Sequence, residues 1–188
     1  MSGPTGLADA LAAGPFTLRR HRPDDLAELV GAVNASLEHL RPWMVWAQQP
    51  ATDESLGEFL SGSIANFEAG IEFGYAIVES TEGGERIVGG AGLHPRLGPG
   101  AIEIGYWVHV DHVRRGAASG AARALRDAAI DPLGVEVVEI HCDPKNTASA
   151  AVARSSGFRL VGTEARAPRI PTESDHEMIW RYRRQGRS

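Results

Sequence analysis

The sequence has a single cysteine, Cys142, and a single lysine, Lys145, among its 188 residues. One cysteine permits no intrachain disulfide, so the fold is not a disulfide scaffold, and the chain suits a reducing compartment such as the cytoplasm. No apolar run approaches the roughly 20 residues that a membrane-spanning helix needs, so we expect no such helix. The net charge of −5 gives the molecule as a whole no electrostatic attraction to nucleic acid.

What remains is an ordinary globular composition, with 43% hydrophobic and 23% charged residues. The length predicts one domain with a sizeable core. Residues 1–15 are rich in alanine and glycine and lack the basic start of a signal peptide, so we expect a flexible leader there. We expect the domain itself over residues 16–182, followed by a short basic tail, residues 183–188, in solvent.

Hydrophobic periodicity and turn residues predict the element order β-α-α-β-β-β-α-β-α-β-β, which describes a mixed α/β domain. The predicted strands cover residues 16–20, 73–78, 86–93, 101–110, 135–142, 158–163 and 178–182. The later predicted helices cover residues 52–70, 115–130 and 146–157. No internal repeat or linker divides the chain.

The most informative segment is a strand ending near Val110, followed by a basic, glycine-bearing turn and then a helix. Unpaired backbone amides and the dipole at such a helix start bind phosphate oxygens. Small residues there let a pyrophosphate approach the backbone, and the arginines add positive charge. The turn consists of Arg114, Arg115, Gly116, Ala117, Ala118 and Ser119. Taken alone, the same pattern also fits an ordinary turn with solvated arginines, because short glycine motifs are weak signals.

Four motifs together carry a family resemblance. They are Leu-Arg-Pro-Trp-Met-Val-Trp at residues 40–46, Glu-Ile-Gly-Tyr-Trp at 103–107, Arg-Gly-Ala-Ala-Ser at 115–119, and Asn-x-x-Ser at 146–149 followed by Gly-Phe at 157–158. In this order they resemble the GNAT superfamily of acyl-CoA-dependent N-acyltransferases over residues 16–182. The combination looks most like the branch of ribosomal-protein N-terminal acetyltransferases, the RimJ/RimL type.

The resemblance implies a single GNAT-like α/β domain, with a mixed, mainly antiparallel sheet of six to seven strands flanked by helices. It implies transfer of an acetyl or related acyl group from acetyl-CoA or another acyl-CoA to a primary amine, without a metal. A protein N-terminus is the leading acceptor and a small-molecule amine is the alternative. A catalytically idle acyl-CoA-binding module is a rival from another class. A homodimer is compatible with the resemblance.

The resemblance also assigns the cofactor contacts. Backbone groups of Val108 and Val110 would meet the pantetheine amides, and the pyrophosphate would lie over residues 115–119. Asn146 would touch the pantetheine arm while it caps the following helix. A redox domain that binds a dinucleotide is a weaker rival, because the Gly-x-Gly-x-x-Gly motif of that class is missing.

The catalytic assignments leave alternatives open. Glu103 is the preferred general base, although it could equally pair with an arginine, and His94 and His109 are competing bases. Ser149 could donate to the leaving thiolate, or its hydroxyl could bond within its own helix. Trp43 and Trp46 form either the wall of the acceptor channel or part of the core.

Two positions depart from the family pattern. Val113 stands where the phosphate turn has an arginine or glutamine, which predicts weaker side-chain support for the pyrophosphate. Ala153 stands where many members carry a tyrosine that protonates the thiolate. The reference pKa of a thiol is near 8.5, so the thiolate leaves tolerably without that acid.

Overall fold

The computed structural model describes residues 6–184, which form eight strands and five helices. The strands are β1 (Ala10–Ala13), β2 (Phe16–Arg20), β3 (Phe73–Thr81), β4 (Gly84–His94), β5 (Ala101–Val108), β6 (Val137–Cys142), β7 (Arg159–Ala165) and β8 (His176–Arg183). The helices are α1 (Leu26–Ala35), α2 (Leu37–Leu40), α3 (Asp53–Glu68), α4 (Ala117–Ile130) and α5 (Thr147–Ser155).

All eight strands belong to one open sheet in the order β1-β2-β3-β4-β5-β6-β8-β7. Every neighbouring pair is antiparallel except β5 and β6, which are parallel. This confirms the predicted single α/β domain with a mainly antiparallel sheet. None of the helices in residues 6–184 has the length and apolarity needed to cross a membrane.

The N-terminal segment corrects one expectation, because part of the predicted leader is an eighth strand. Strand β1 pairs with β2 from Ala10 opposite Arg19 to Ala13 opposite Phe16. Gly14 makes the connecting turn at φ +75°, a backbone conformation that glycine adopts without strain. Leu7 is only 7% exposed, so apolar burial anchors this hairpin. At the other end β8 runs to Arg183, and the remaining leader and tail residues, 1–5 and 185–188, lie outside the described part of the chain.

The two faces of the sheet carry different helices. The larger core cluster packs α4 and α5 against one face, here called the α4 face. Alanines and Gly120 let α4 lie close to the sheet, since a side chain at Gly120 would meet the Ala13 carbonyl oxygen at 2.3 Å. The smaller cluster packs Leu29 and Val33 of α1 and Leu60 of α3 against β3 and β4 on the other face, here called the α1 face.

Local capping explains where two of the helices begin. The Ser55 amide donates to Thr52 Oγ1 at 3.1 Å and the Thr52 amide donates to Ser55 Oγ at 3.0 Å, a reciprocal cap for α3. At α5 the Ser149 amide donates to Asn146 Oδ1 at 3.0 Å. The cap places Ser149 in the first turn of α5, in the helix predicted from the sequence.

Candidate active site

The site begins where β5 and β6 separate. Their parallel pairing covers only residues 101–103 against 137–139, and the later residues of β5 have no register partner on β6. The His109 amide donates to the Val88 carbonyl at 2.8 Å, so the alternation of an antiparallel ladder directs the backbone groups of Val108 away from β4. Those groups therefore face the gap, where the sequence predicted pantetheine contacts.

The predicted phosphate turn lies at the start of α4. Gly116 is the N-cap at φ +86°, with open space where a side chain would begin. The Gly120 amide makes the first intrahelical hydrogen bond, to the Gly116 carbonyl at 2.8 Å. The amides of Ala117, Ala118 and Ser119 precede that bond and have no intrahelical acceptor. This helix start is open and lined with amides, so it can accept an anionic group. A bound diphosphate requires such a site.

The two arginines of the turn have different environments. Arg115 forms an ion pair with Glu79 of β3, and its guanidinium lies 5.9 Å from the centre of the Phe16 ring. Its charge is therefore shared with a carboxylate, which weakens the side-chain contribution expected at the phosphate turn. Arg114 is exposed, and at φ 60° it is the single non-glycine residue of the described chain with a positive φ. Such backbone strain is typical of functional turns.

The Val110 amide is engaged within the protein. It donates to Ser36 Oγ at 3.1 Å, and the buried Ser36 hydroxyl donates in turn to the Ala32 carbonyl at 2.8 Å. This bond ties the end of β5 to α1. In this conformation the amide of Val110 is occupied, whereas the sequence predicted that it meets pantetheine.

Ser149 lies across the gap from β5 and contacts two other functional groups. Its Oγ is 2.8 Å from the phenol oxygen of Tyr106 on β5. The Ser149 amide donates to Asn146 Oδ1 at 3.0 Å. Burial raises the pKa of the Cys142 thiol at the end of β6. Burial likewise raises the pKa of Tyr106, so the phenol stays protonated. The structure thus brings Asn146, Ser149 and Tyr106 together beside the gap.

Glu103 faces the opposite side of the sheet, the α1 face. Residues 103, 105 and 107 of β5 share this face, because side chains alternate along a strand. Glu103 is the register partner of His94 on β4 and of Glu139 on β6. Its carboxylate is 18% exposed and lies 3.9 Å from the exposed Arg96 guanidinium. The alternative ion pair with an arginine is therefore long, and its guanidinium is largely solvated, so this arginine does not hold the carboxylate tightly.

His94 is held beside Glu103 as part of a carboxylate–imidazole pair. Its Nδ1 bonds with Glu72 Oε1. Its ring lies against glycines, since a side chain built at Gly105 would meet His94 Nε2 at 2.9 Å and one at Gly92 would meet it at 3.4 Å. His94 therefore remains the competing base. The other histidine candidate, His109, accepts from the Asp111 amide at 3.1 Å and caps the turn after β5.

A buried ionic network continues the α1 face beyond Glu103. His141 of β6 bonds through Nε2 to Glu139 at 2.7 Å and through Nδ1 to Glu177 at 3.0 Å. Burial lowers the pKa of His141, but the hydrogen bonds to Glu177 and Glu139 outweigh it and raise the pKa to about 9. Within residues 6–184 no three histidine, cysteine or carboxylate side chains converge to hold a metal ion.

The His141 network predicts an unusual titration. We expect the His141 ring to titrate near pH 9 and the buried His21 ring near pH 4 in NMR spectra of the folded protein. Because the folded pKa of His141 lies above its unfolded value near 6.5, its stabilisation is complete below pH 6.5 and is lost as pH rises through 9. Glu177→Gln should lower the His141 pKa, whereas Glu136→Gln, at an exposed site, should not. A wild-type His141 titration near pH 6.5 would contradict the network.

The aromatic loop lies over the same α1 face. Trp46 is 51% exposed, and its ring packs edge-on against Trp107 of β5 with 6.1 Å between centroids. Trp43 is partly buried in the same loop. The Thr172 hydroxyl, in the connection between β7 and β8, donates to the Pro42 carbonyl at 2.8 Å. Two connections thus meet at the aromatic loop that packs against Trp107, an arrangement compatible with the walls of an acceptor channel.

The structure separates the predicted site into two groups on opposite faces of the sheet. Ser149, Asn146 and the phosphate turn lie on the α4 face, while Glu103 and the tryptophans lie on the α1 face. Tyr106 belongs to one of the sequence motifs, but nothing in the sequence indicated its role. Only the fold brings β5 against α5 and so places Tyr106 beside Ser149. The His141 network was not predicted either. Its carboxylates lie singly on separate strands, so the sequence contains no pattern that indicates it.

Solved structures of similar fold include acetyltransferases crystallised with the coenzyme. Mycobacterium smegmatis RimJ, solved in complex with a CoA disulfide, has 25% identity and a TM-score of 0.78, with 94% of this chain and 86% of that chain covered. The ribosomal L7/L12 α-N-protein acetyltransferase RimL, in complex with coenzyme A, has 21% identity and a TM-score of 0.81, covering 92% and 97%.

A third similar structure is the microcin C7 self-immunity acetyltransferase MccE in complex with acetyl-CoA and AMP. It has 20% identity and a TM-score of 0.80, with 96% of this chain and 97% of that chain covered. A search of curated proteins finds no significant match to the chain. The family model described as an acetyltransferase (GNAT) domain matches residues 16–159. That match spans most of the chain, which therefore belongs to the GNAT family of acetyltransferases.

Proposed function

We propose that this enzyme transfers an acetyl group from acetyl-CoA to the N-terminal amine of a protein, in the cytoplasm. The observation that carries the proposal is the gap between β5 and β6, which has an amide-lined helix start on one face, while β5 presents Glu103 and Trp107, the latter packed against the aromatic loop, on the other. Such a gap lets the two substrates approach from opposite faces. The similarity to RimJ and RimL supports a protein acceptor.

Each group of residues has one task in this reaction. Bound acetyl-CoA supplies the reactive thioester. The amides of residues 117–119 hold the diphosphate, and the backbone of Val108 aligns the pantetheine arm. Glu103 removes a proton from the attacking amine, directly or through a water molecule. Ser149 donates a hydrogen bond to the sulfur as the carbon–sulfur bond breaks.

The acceptor is tested with three classes of amine. Purified enzyme and acetyl-CoA are mixed with peptides that have free N-termini, with the same peptides blocked at the N-terminus but containing lysine, and with a polyamine or an amino sugar. Thiol release and the mass of the product are measured. We expect release with the free N-termini alone. Reaction of the small amines alone would overturn the protein acceptor, and coenzyme binding without thiol release from any amine would indicate an idle module.

The aromatic loop supports a prediction about the acceptor. Trp46→Ala and Trp43→Ala should raise the KM of the peptide by roughly tenfold, since each removes apolar contact area from the channel wall. The KM of acetyl-CoA should change little. Steady-state kinetics with each substrate varied in turn makes the measurement.

The matched control is Phe59→Ala on α3. Phe59 is as exposed as Trp46, at 51%, but it packs against His21 instead of the aromatic loop. The control should leave both KM values unchanged. If the tryptophan variants unfold instead, these residues belong to the core and the wall assignment is wrong.

A further inference from the structure

The phenol of Tyr106 is placed to act on the leaving-group side of the reaction. Its oxygen lies 2.8 Å from Ser149 Oγ and 3.4 Å from the Ser149 carbonyl oxygen. The ring packs in the core of the α4 face. One turn further along α5, Ala153 is fully buried and offers no hydroxyl. Tyr106 on β5 therefore adds a second hydroxyl beside that of Ser149 at the start of α5.

The direction of this hydrogen bond follows from the groups around it. Either hydroxyl can donate to the other. When a negatively charged sulfur stands at the gap, the Ser149 O–H donates to that charge, because hydrogen bonds to ions are the stronger ones. Ser149 Oγ then accepts from Tyr106, and two hydrogen bonds in series strengthen each other. The first turn of α5 is already held by the bond from the Ser149 amide to Asn146.

We propose that Tyr106 is a positioning residue that donates to Ser149 and thereby directs the Ser149 hydroxyl onto the thiolate leaving group. The inference rests on the proposed acetyl transfer. A nitrogen–carbon bond forms, the carbon–sulfur bond breaks, and its electron pair remains on sulfur. The amine proton goes to the base, and the thiolate later takes a proton from water. Tyr106 keeps its own proton, since burial raises the pKa of the phenol above that of a thiol.

The test measures the thiol of bound coenzyme A itself. Coenzyme A labelled with carbon-13 beside the sulfur is titrated in the enzyme complex by NMR. Tyr106→Phe should raise the pKa of the bound thiol by up to about one unit, because the Ser149 hydroxyl is then no longer directed onto the thiolate and its hydrogen bond to that charge is weakened or lost. Ser149→Ala should raise it at least as much, and the double variant should show no further shift. The kcat of Tyr106→Phe should fall roughly tenfold with little change in the KM of acetyl-CoA.

Tyr75→Phe is the matched control. Tyr75 is also a buried tyrosine, but its hydroxyl donates to the Ala8 carbonyl at 2.9 Å, at the N-terminal hairpin. This control should leave the bound thiol pKa and kcat unchanged. An equal shift in the control would show that loss of any buried hydroxyl perturbs the site, which would overturn the inference.

The inference is also wrong if a Tyr106→Phe enzyme still binds coenzyme A and the pKa of the bound thiol is unchanged. If that variant fails to fold, fluorotyrosine incorporated at position 106 keeps the ring and strengthens the donor. It should lower the pKa of the bound thiol, and a shift of zero or of opposite sign contradicts the inference. If the wild-type enzyme does not bind coenzyme A, the proposed function is wrong, and this inference is wrong with it.

Discussion

Gly116→Asp is expected to weaken the binding of acetyl-CoA by roughly a hundredfold, which is the effect of one like charge a few ångströms from a diphosphate. The new carboxylate stands at the N-cap of α4, beside the amides that have no intrahelical acceptor. It repels the phosphates and also accepts from those amides as a helix cap. Calorimetric titration of the variant with acetyl-CoA makes the measurement.

Gly116→Asn separates the charge from the other effects of the substitution. Asparagine has the same size, caps a helix equally well and has a similar tolerance of the left-handed backbone at φ +86°. We expect its affinity to fall about tenfold or less, because the repulsion is absent. If the aspartate variant is folded and binds acetyl-CoA as wild type does, the phosphate turn is not the coenzyme site.

Glu103→Gln is expected to lower kcat by roughly a hundredfold, the usual scale for a positioned general base. Because the proposed acetyl-CoA site lies on the opposite face of the sheet, the affinity for acetyl-CoA should stay nearly intact. The deficit should shrink as pH rises toward 8, because an N-terminal amine with a pKa near 7.7–8.0 then loses its proton without help. Rates measured from pH 6 to pH 9 for both enzymes test this.

His94→Gln is the comparison for the base. It removes the imidazole that pairs with Glu72 next to Glu103, without changing the carboxylate of Glu103. If Glu103 is the base, this variant should retain most of kcat. A Glu103→Gln enzyme with normal kcat at neutral pH, together with a large loss in His94→Gln, would transfer the role to His94.

The elements with strong local signals were predictable. The alanine-rich stripe of α4, the Asn146 cap and the β-rich run of β6 all depend on residues close together in the chain. Strand β1 was missed because Ala10–Ala13 has little β propensity, and its pairing with β2 and the burial of Leu7 stabilise it. The last two predicted residues of β5 lie outside the strand: His109 caps the turn Val110–His112, and Val110 begins it.

The same distinction applies to the predicted site residues: local features could be predicted, whereas contacts between distant parts of the chain could not. The turn at Gly116 could be located from the sequence because a glycine-bearing turn before a helix is a continuous segment with its own backbone geometry. Arg115 was expected to support the pyrophosphate, but its partner Glu79 lies on a distant strand. The partner of the Val110 amide, Ser36, is 74 residues away, a distance at which no local pattern shows a contact.

The α/β class and the family were predicted correctly from the residues alone, and the turn before α4 was found in the same way, because each depends on short-range periodicity or on motifs in a characteristic order. Only the tertiary structure decided which side chains act together. Where β5 and β6 separate, Tyr106 lies against Ser149 on one face, and where they still pair, Glu103 lies beside His94 and Glu139 on the other. These neighbours come from separate strands and helices, so strand order, register and alternation of side chains had to be known before the two halves of the site could be distinguished.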